Sequence, residues 1–151
     1  MQHRDHLYIN GQWQAPISSV RLEVLNPATE TLCASVPRAG SEDVERAISA
    51  ARDALPAWSA TSAQRRHELL MAAADEMQRR YDELCDVHIM TLGSPTQVTG
   101  AIHVDGPIEG MRYYAERAAR MEQVERKEGV AIVREPIGVC SLINPWNYPL
   151  H

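Results

Sequence analysis

Few residues in this chain could carry chemistry, and the clearest of them is Asn147. It sits in the run Pro145-Trp146-Asn147-Tyr148-Pro149-Leu150-His151. The stretch before it, Val139-Cys140-Ser141-Leu142-Ile143, is mostly apolar without alternation, the pattern of a strand covered on both faces. The loop at the carboxyl end of such a strand is where α/β folds place their ligands. An amide there offers neutral hydrogen-bond donors. A plainer role fits the same spacing, because asparagine favours turns and Tyr148-Pro149 follows. Trp146 has the same two readings, packing or ligand contact.

Cys140 is the nucleophile to weigh. It lies inside the apolar run, with no cation or helix start adjacent in sequence to favour the thiolate. A buried structural thiol is the expectation. Cys33 and Cys85 read the same way. Three widely spaced cysteines without a CxxC pair argue against a disulfide framework or zinc site and fit a reducing cytoplasm. The six histidines, His3, His6, His67, His88, His103 and His151, show no metal-ligand spacing and are each expected to be solvated or core residues. No metal is therefore expected.

Composition narrows the class. Hydrophobic residues at 44% and charged residues at 23% are ordinary for a globular domain, and 151 residues are enough to bury a core. A net charge of −5 with one lysine, Lys127, argues against nucleic acid as a partner. There is no signal-peptide-like apolar start and no apolar run of membrane-spanning length, so no membrane association is expected.

The elements that must position these residues fall into three stretches. The first is 1–121, a β-rich lead-in followed by helices. Asn10-Gly11 between Leu7-Tyr8-Ile9 and Gln12-Trp13-Gln14 predicts a hairpin. Val20–Leu25 and Thr31–Val36 are further strand candidates. Ser41 is the expected cap of a helix that Pro56 ends or kinks. Thr61 and Gln64 match a capping box for the next helix, which runs towards Gly93 with a possible separate piece after Tyr81. A segment from Ser94-Pro95 is expected to break near Gly100. Asp105-Gly106-Pro107 then predicts a cap with proline in the first turn of a helix to about Met121.

The second stretch, 122–136, predicts a charged hairpin turning at Lys127-Glu128-Gly129. The third, 137–151, predicts a strand and the loop bearing Asn147. A parallel neighbour for that strand needs a crossover of about a dozen residues or more, and only eight follow Ile143. The chain is therefore expected to be the first part of something larger.

The segment Arg134 to Leu150, with its Pro-Trp-Asn-Tyr-Pro-Leu block, closely resembles the NAD(P)-dependent aldehyde dehydrogenase superfamily. Tyr8-Ile9-Asn10-Gly11-Gln12-Trp13, Asn26-Pro27-Ala28-Thr29 and Trp58 with Ser62-Ala63-Gln64-Arg65-Arg66 resemble it too, in order along nearly the whole chain. Thr91-Leu92-Gly93-Ser94-Pro95 stands where the family has a turn with an acidic residue, here replaced by Thr91.

The resemblance implies an α/β fold: an incomplete Rossmann-type cofactor-binding domain with a β-hairpin oligomerisation arm at 122–136. It implies oxidation of a small-molecule aldehyde to a carboxylic acid with NAD or NADP, through a cysteine thiohemiacetal and a thioester. Asn147 would donate its side-chain N–H to the oxyanion, and Ile143, Asn144, Pro145 and Trp146 would lie along the cofactor. The nucleophilic cysteine, the general-base glutamate and the glycine-rich turn would lie beyond His151, so the chain alone is expected to be inactive. A homo-oligomer through the arm is the expected assembly. The alternative from another class is a non-catalytic interaction module that pairs through 122–136.

Overall fold

The computed structural model describes residues 2–3, 5–121 and 124–151; of Gln2 and His3 only the backbone is described. The N-terminal third is strand-rich, as its turn signals predict. Strands β2 (Leu7–Ile9) and β3 (Gln12–Gln14) pair antiparallel about Asn10-Gly11, which take φ of 52° and 72°. Those positive φ values are what an Asn-Gly hairpin turn supplies. Strands β4 (Arg21–Leu25) and β5 (Leu32–Pro37) pair antiparallel, and β1 (Gln2–His3) adds to β5 in parallel. The strand at Gln2–His3 has no counterpart in the sequence reading, since a two-residue polar strand carries no alternation.

Five α-helices follow among the described residues. Helix α1 (Ser41–Ser59) starts one residue earlier than expected, with Gly40 rather than Ser41 at the cap position. The cause is Asp43, which is 1% exposed and accepts N–H groups from Gly40 (3.1 Å) and Ile17 (3.1 and 3.3 Å). One carboxylate thus closes the helix start and pins the lead-in to it. The backbone N–H of Gly40 is the largest influence holding that carboxyl below its usual range, with burial opposing it and Ile17, Ser18 and Arg46 assisting. The helix runs a further turn past Pro56, whose missing N–H leaves the Arg52 carbonyl without its helical donor.

Helix α2 (Ala63–Arg79) is capped by Ser62, which accepts the Arg65 N–H at 3.1 Å. The expected cap, Thr61, instead donates its hydroxyl back to the Ala57 carbonyl at 3.0 Å. Helix α3 (Tyr81–Leu92) is separate and ends at Gly93. Beyond it, α4 (Thr96–Thr99), a π-helical stretch (Gly100–Asp105) and α5 (Gly106–Ala119) form one nearly continuous run. The break expected at Gly100 does not occur. Gly100 is instead a point of close approach, where an added Cβ would lie 2.2 Å from the Tyr81 hydroxyl oxygen. Asp105 is helical in backbone and makes no capping bond.

The core sits where α2, α5 and the π-helical stretch meet, on Ala74, Val104, Ile108 and Ala115, each 1% exposed or less. The alanines let the helices approach closely. Strands β6 (Val124–Lys127) and β7 (Val130–Val133) form the expected antiparallel hairpin, turning at Glu128 and Gly129. Residues 122 and 123 of that arm lie outside the described residues.

The strand expected at 138–143 is absent. No described strand pairs with the segment to take its N–H and C=O groups; β2 and α1 face Val139, Cys140 and Ser141 only across a cleft of about 560 Å³, and a strand without a paired neighbour has no ladder to hold it. Its apolar side chains are consequently open to solvent, Leu142 at 87% and Ile143 at 91%.

Gly93 joins the helical layer to the lead-in. Its φ is +74°, and a Cβ there would meet the Pro27 ring at 2.6 Å. Gly93→Ala is expected to destabilise the chain by roughly 1–3 kcal/mol, the scale for holding a non-glycine residue in left-handed backbone. Urea unfolding followed by circular dichroism checks this; an unchanged midpoint would show that the position tolerates a Cβ.

Candidate functional site

The loop from Asn144 to His151 is built from two consecutive turns. The Tyr148 N–H donates to the Pro145 carbonyl at 3.3 Å, and the His151 N–H donates to the Tyr148 carbonyl at 3.2 Å. The Asn144 side-chain amide spans both turns and donates to the Pro149 carbonyl at 2.9 Å. Asn144 is thus engaged in shaping the loop, and Pro145 supplies a turn acceptor.

Trp146 and Pro149 lie over a cleft of about 410 Å³, whose other walls come from β4, β5 and α3: Val24, Ala34, Val36, Val87, Met90 and Leu92 among them. Trp146 is still 83% exposed, so most of its ring remains available. Thr91, at the position of the family's acidic residue, also lines this cleft and donates its hydroxyl to the Val87 carbonyl at 2.7 Å.

Asn147 stands in the first of the two turns, half-buried. Its side-chain amide makes no hydrogen bond among the described residues, so its N–H groups are free for an acceptor. The turn that contains it and the turn that follows fix its backbone. A neutral donor held by its backbone can stabilise negative charge without a proton transfer.

The sequence reading groups Ile143, Asn144, Pro145, Trp146 and Asn147 together; the first four are exposed and Asn147 is half-buried beside them. Cys140 departs from expectation. It is exposed rather than buried, because the strand that would have enclosed it does not form. Its nearest polar contact is the Gly138 carbonyl, 4.0 Å from Sγ. Cys33 and Cys85 are half-buried, and burial, followed by the nearby carboxylates of Asp82, Asp105 and Asp86, pushes the Cys85 thiol up. For Cys85 that is the reverse of an activated thiolate. Among the described residues, no group of three or more His, Cys, Asp or Glu side chains could hold a metal ion. Among the described residues, no helix is long and apolar enough to cross a membrane.

The loop's supports are residues that sequence reasoning missed. Tyr148 packs against His103, with ring centroids 5.3 Å apart, and against His151 at 5.1 Å. His103 stacks on His88. These histidines come from α3, the π-helical stretch and the loop itself. No local spacing pattern could have brought them together.

Against known proteins, residues 13–151 match the profile of the Aldehyde dehydrogenase family. The geranial dehydrogenase of Castellaniella defragrans is 34% identical over 152 residues, covering 96% of this chain and 32% of that protein. The chloroplastic betaine aldehyde dehydrogenase of Amaranthus hypochondriacus is also 34% identical, covering 95% of this chain and 31% of its own length. Among solved structures, aldehyde dehydrogenase C of Pseudomonas syringae, a mutant crystallised with NAD+ and octanal, superposes with a TM-score of 0.93 at 37% identity. That match covers 99% of this chain and 32% of the other. The betaine aldehyde dehydrogenase of Staphylococcus aureus, solved with NAD+, superposes at 0.88 with 29% identity, covering 97% of this chain and 30% of that one. The chain spans about a third of the length of the curated relatives it matches. With the fold, the motif order and these matches in agreement, the chain belongs to the aldehyde dehydrogenase family, in which it corresponds to the N-terminal part.

Proposed function

We propose that this chain supplies one side of the active site of an NAD-dependent aldehyde dehydrogenase, with Asn147 as a hydrogen-bond donor to the oxyanion formed when the aldehyde carbonyl is attacked. The single observation that carries the reading is Asn147 itself: an amide with no partner among the described residues, on a backbone fixed by turns, inside the block that resembles the family most closely. The relatives solved with NAD+ favour that cofactor over NADP.

The strip Ile143–Trp146 would lie along the cofactor. It fits that role in two respects: Ile143 and Trp146 are 91% and 83% exposed, and the backbone of 141–144 is in no sheet. The bound cofactor would supply a hydride acceptor. The chain's own residues do the rest of what falls to this part. Asn147 orients and stabilises the carbonyl oxygen, Asn144 keeps the loop closed, and Trp146 shields the cleft from water. The open apolar run Ile137–Ile143 is a surface on which the rest of a cofactor-binding sheet would pack. Nucleophile and general base would belong to other parts of such an enzyme, as the resemblance implies. Which aldehyde is oxidised depends on those parts as well.

The hairpin β6–β7 supports a further element of the reading, assembly through the arm. Val124, Val130, Ile132 and Val133 are all exposed on it. Two paired strands with open edges and apolar faces invite a partner strand. This serves either a homo-oligomeric enzyme or a stand-alone interaction module.

The chain alone is expected to reduce no NAD with any aldehyde; sustained turnover after rigorous removal of host dehydrogenases would contradict the assignment of nucleophile and base elsewhere. In an active enzyme carrying this chain, Asn147→Ala is expected to lower kcat by ~10²–10³. An unchanged kcat would overturn the oxyanion role. For the arm, light scattering on the purified chain is expected to give twice the 16.9 kDa of the monomer or more, and replacing Val130 and Ile132 by lysine should return it to monomer. A clean monomer before substitution rejects the arm as a pairing device.

A further inference from the structure

The loop that carries Asn147 is held against the helical layer by rings. Tyr148, the residue after Asn147, lies between His103 and His151. His103 stacks in turn on His88, with centroids 5.3 Å apart and planes 25° apart. His151 donates from Nε2 to the Ile102 carbonyl at 3.1 Å, in the π-helical stretch that also carries His103. Asn147 makes none of these contacts.

The partners of the ring nitrogens set what protonating His103 would cost. His88 is 4% exposed, and its Nδ1 lies 2.8 Å from the Leu84 carbonyl oxygen. A carbonyl only accepts, so the neutral ring carries its proton on Nδ1 and its Nε2 is a bare lone pair. That Nε2 is buried without a partner, and so is Nδ1 of His103. A protonated imidazole has an N–H on both nitrogens. Charging His103 therefore places a donor at a buried position with no acceptor, which is costly, and sets a positive charge against neighbouring imidazoles.

We propose that His103 is a positioning residue for the Asn147 loop, holding it through Tyr148 while neutral and releasing it when protonated. The functional meaning rests on Asn147 as oxyanion donor; the docking does not. The titratable groups that face His103 are His88 from α3, and Tyr148 and His151 from the loop. Burial, then His88 and His151, depress its proton affinity. The docked form thus binds fewer protons than the released form. Docking is fully present above the ordinary histidine range and weakens as pH falls through that range towards the lowered value.

The test is a histidine and tyrosine NMR titration of the 151-residue protein from about pH 8 to about pH 5, the span over which histidines exchange charge. The Tyr148 ring signals are expected to move towards their unfolded positions with the same midpoint as His103, and that midpoint should lie below the ordinary histidine value. His103→Phe keeps a ring in place but cannot titrate, so its Tyr148 signals should stay docked throughout. Tyr148 signals that ignore pH in the unaltered protein, or that respond equally in His103→Phe, would overturn the proposal. If His103→Phe does not fold, the unaltered titration decides by itself. Asn147→Ala should leave the Tyr148 titration unchanged whatever Asn147 does in catalysis, so failure of the oxyanion role and failure of the latch are told apart.

Discussion

The constraint that shapes the functional end of this chain is the need of backbone N–H and C=O groups for partners. Residues 138–143 have the composition of a sheet interior, yet none of the described strands pairs with them. Without a ladder the segment stays open, its apolar side chains face water, and Cys140 is exposed with them. The loop that follows cannot be positioned by a strand end. It is positioned by its own turns and by packing against the helices.

That shift in support makes the helical layer part of the site. The core of α2, α5 and the π-helical stretch is rigid in composition, with small alanines at its closest approach. The π-helical stretch is accommodated because Gly100 admits the Tyr81 ring, and it presents the Ile102 carbonyl to His151. Such widened turns recur at functional sites. Here one links a packed helix pair to the loop holding the candidate donor. At the other end of the layer, Asp43 and Gly93 tie the lead-in strands to α1 and α3. Those strands, with α3, wall the cleft under Trp146 and Pro149.

What the sequence made legible was local or carried by resemblance. Asn10-Gly11 placed the first hairpin because only a few residue types adopt its turn. The helical stretches followed from periodicity, and Pro145-Trp146-Asn147 pointed to the site. Helix caps slipped by a residue, since Gly40 starts α1 through the side chain of Asp43 and Ser62 outcompetes Thr61. Gly100 read as a breaker, because close approach by a distant tyrosine leaves no trace in local spacing. The strand at 138–143 failed for a different reason: strand character belongs to a pair, and sequence pattern reports only one member of it. The ring stack of His88, His103, Tyr148 and His151 was illegible on the same ground, being assembled across separate elements.

Hydrogen–deuterium exchange of the chain, read residue by residue, decides whether the Asn147 loop is fixed by turns and helix packing and not by a sheet. Amides of 138–143 should exchange at rates close to those of an unstructured peptide, while those of α2 and α5 are protected and the N–H groups of Tyr148 and His151 are slowed. Protection across 138–143 equal to that of α2 and α5, or free exchange at Tyr148 and His151, would contradict the account.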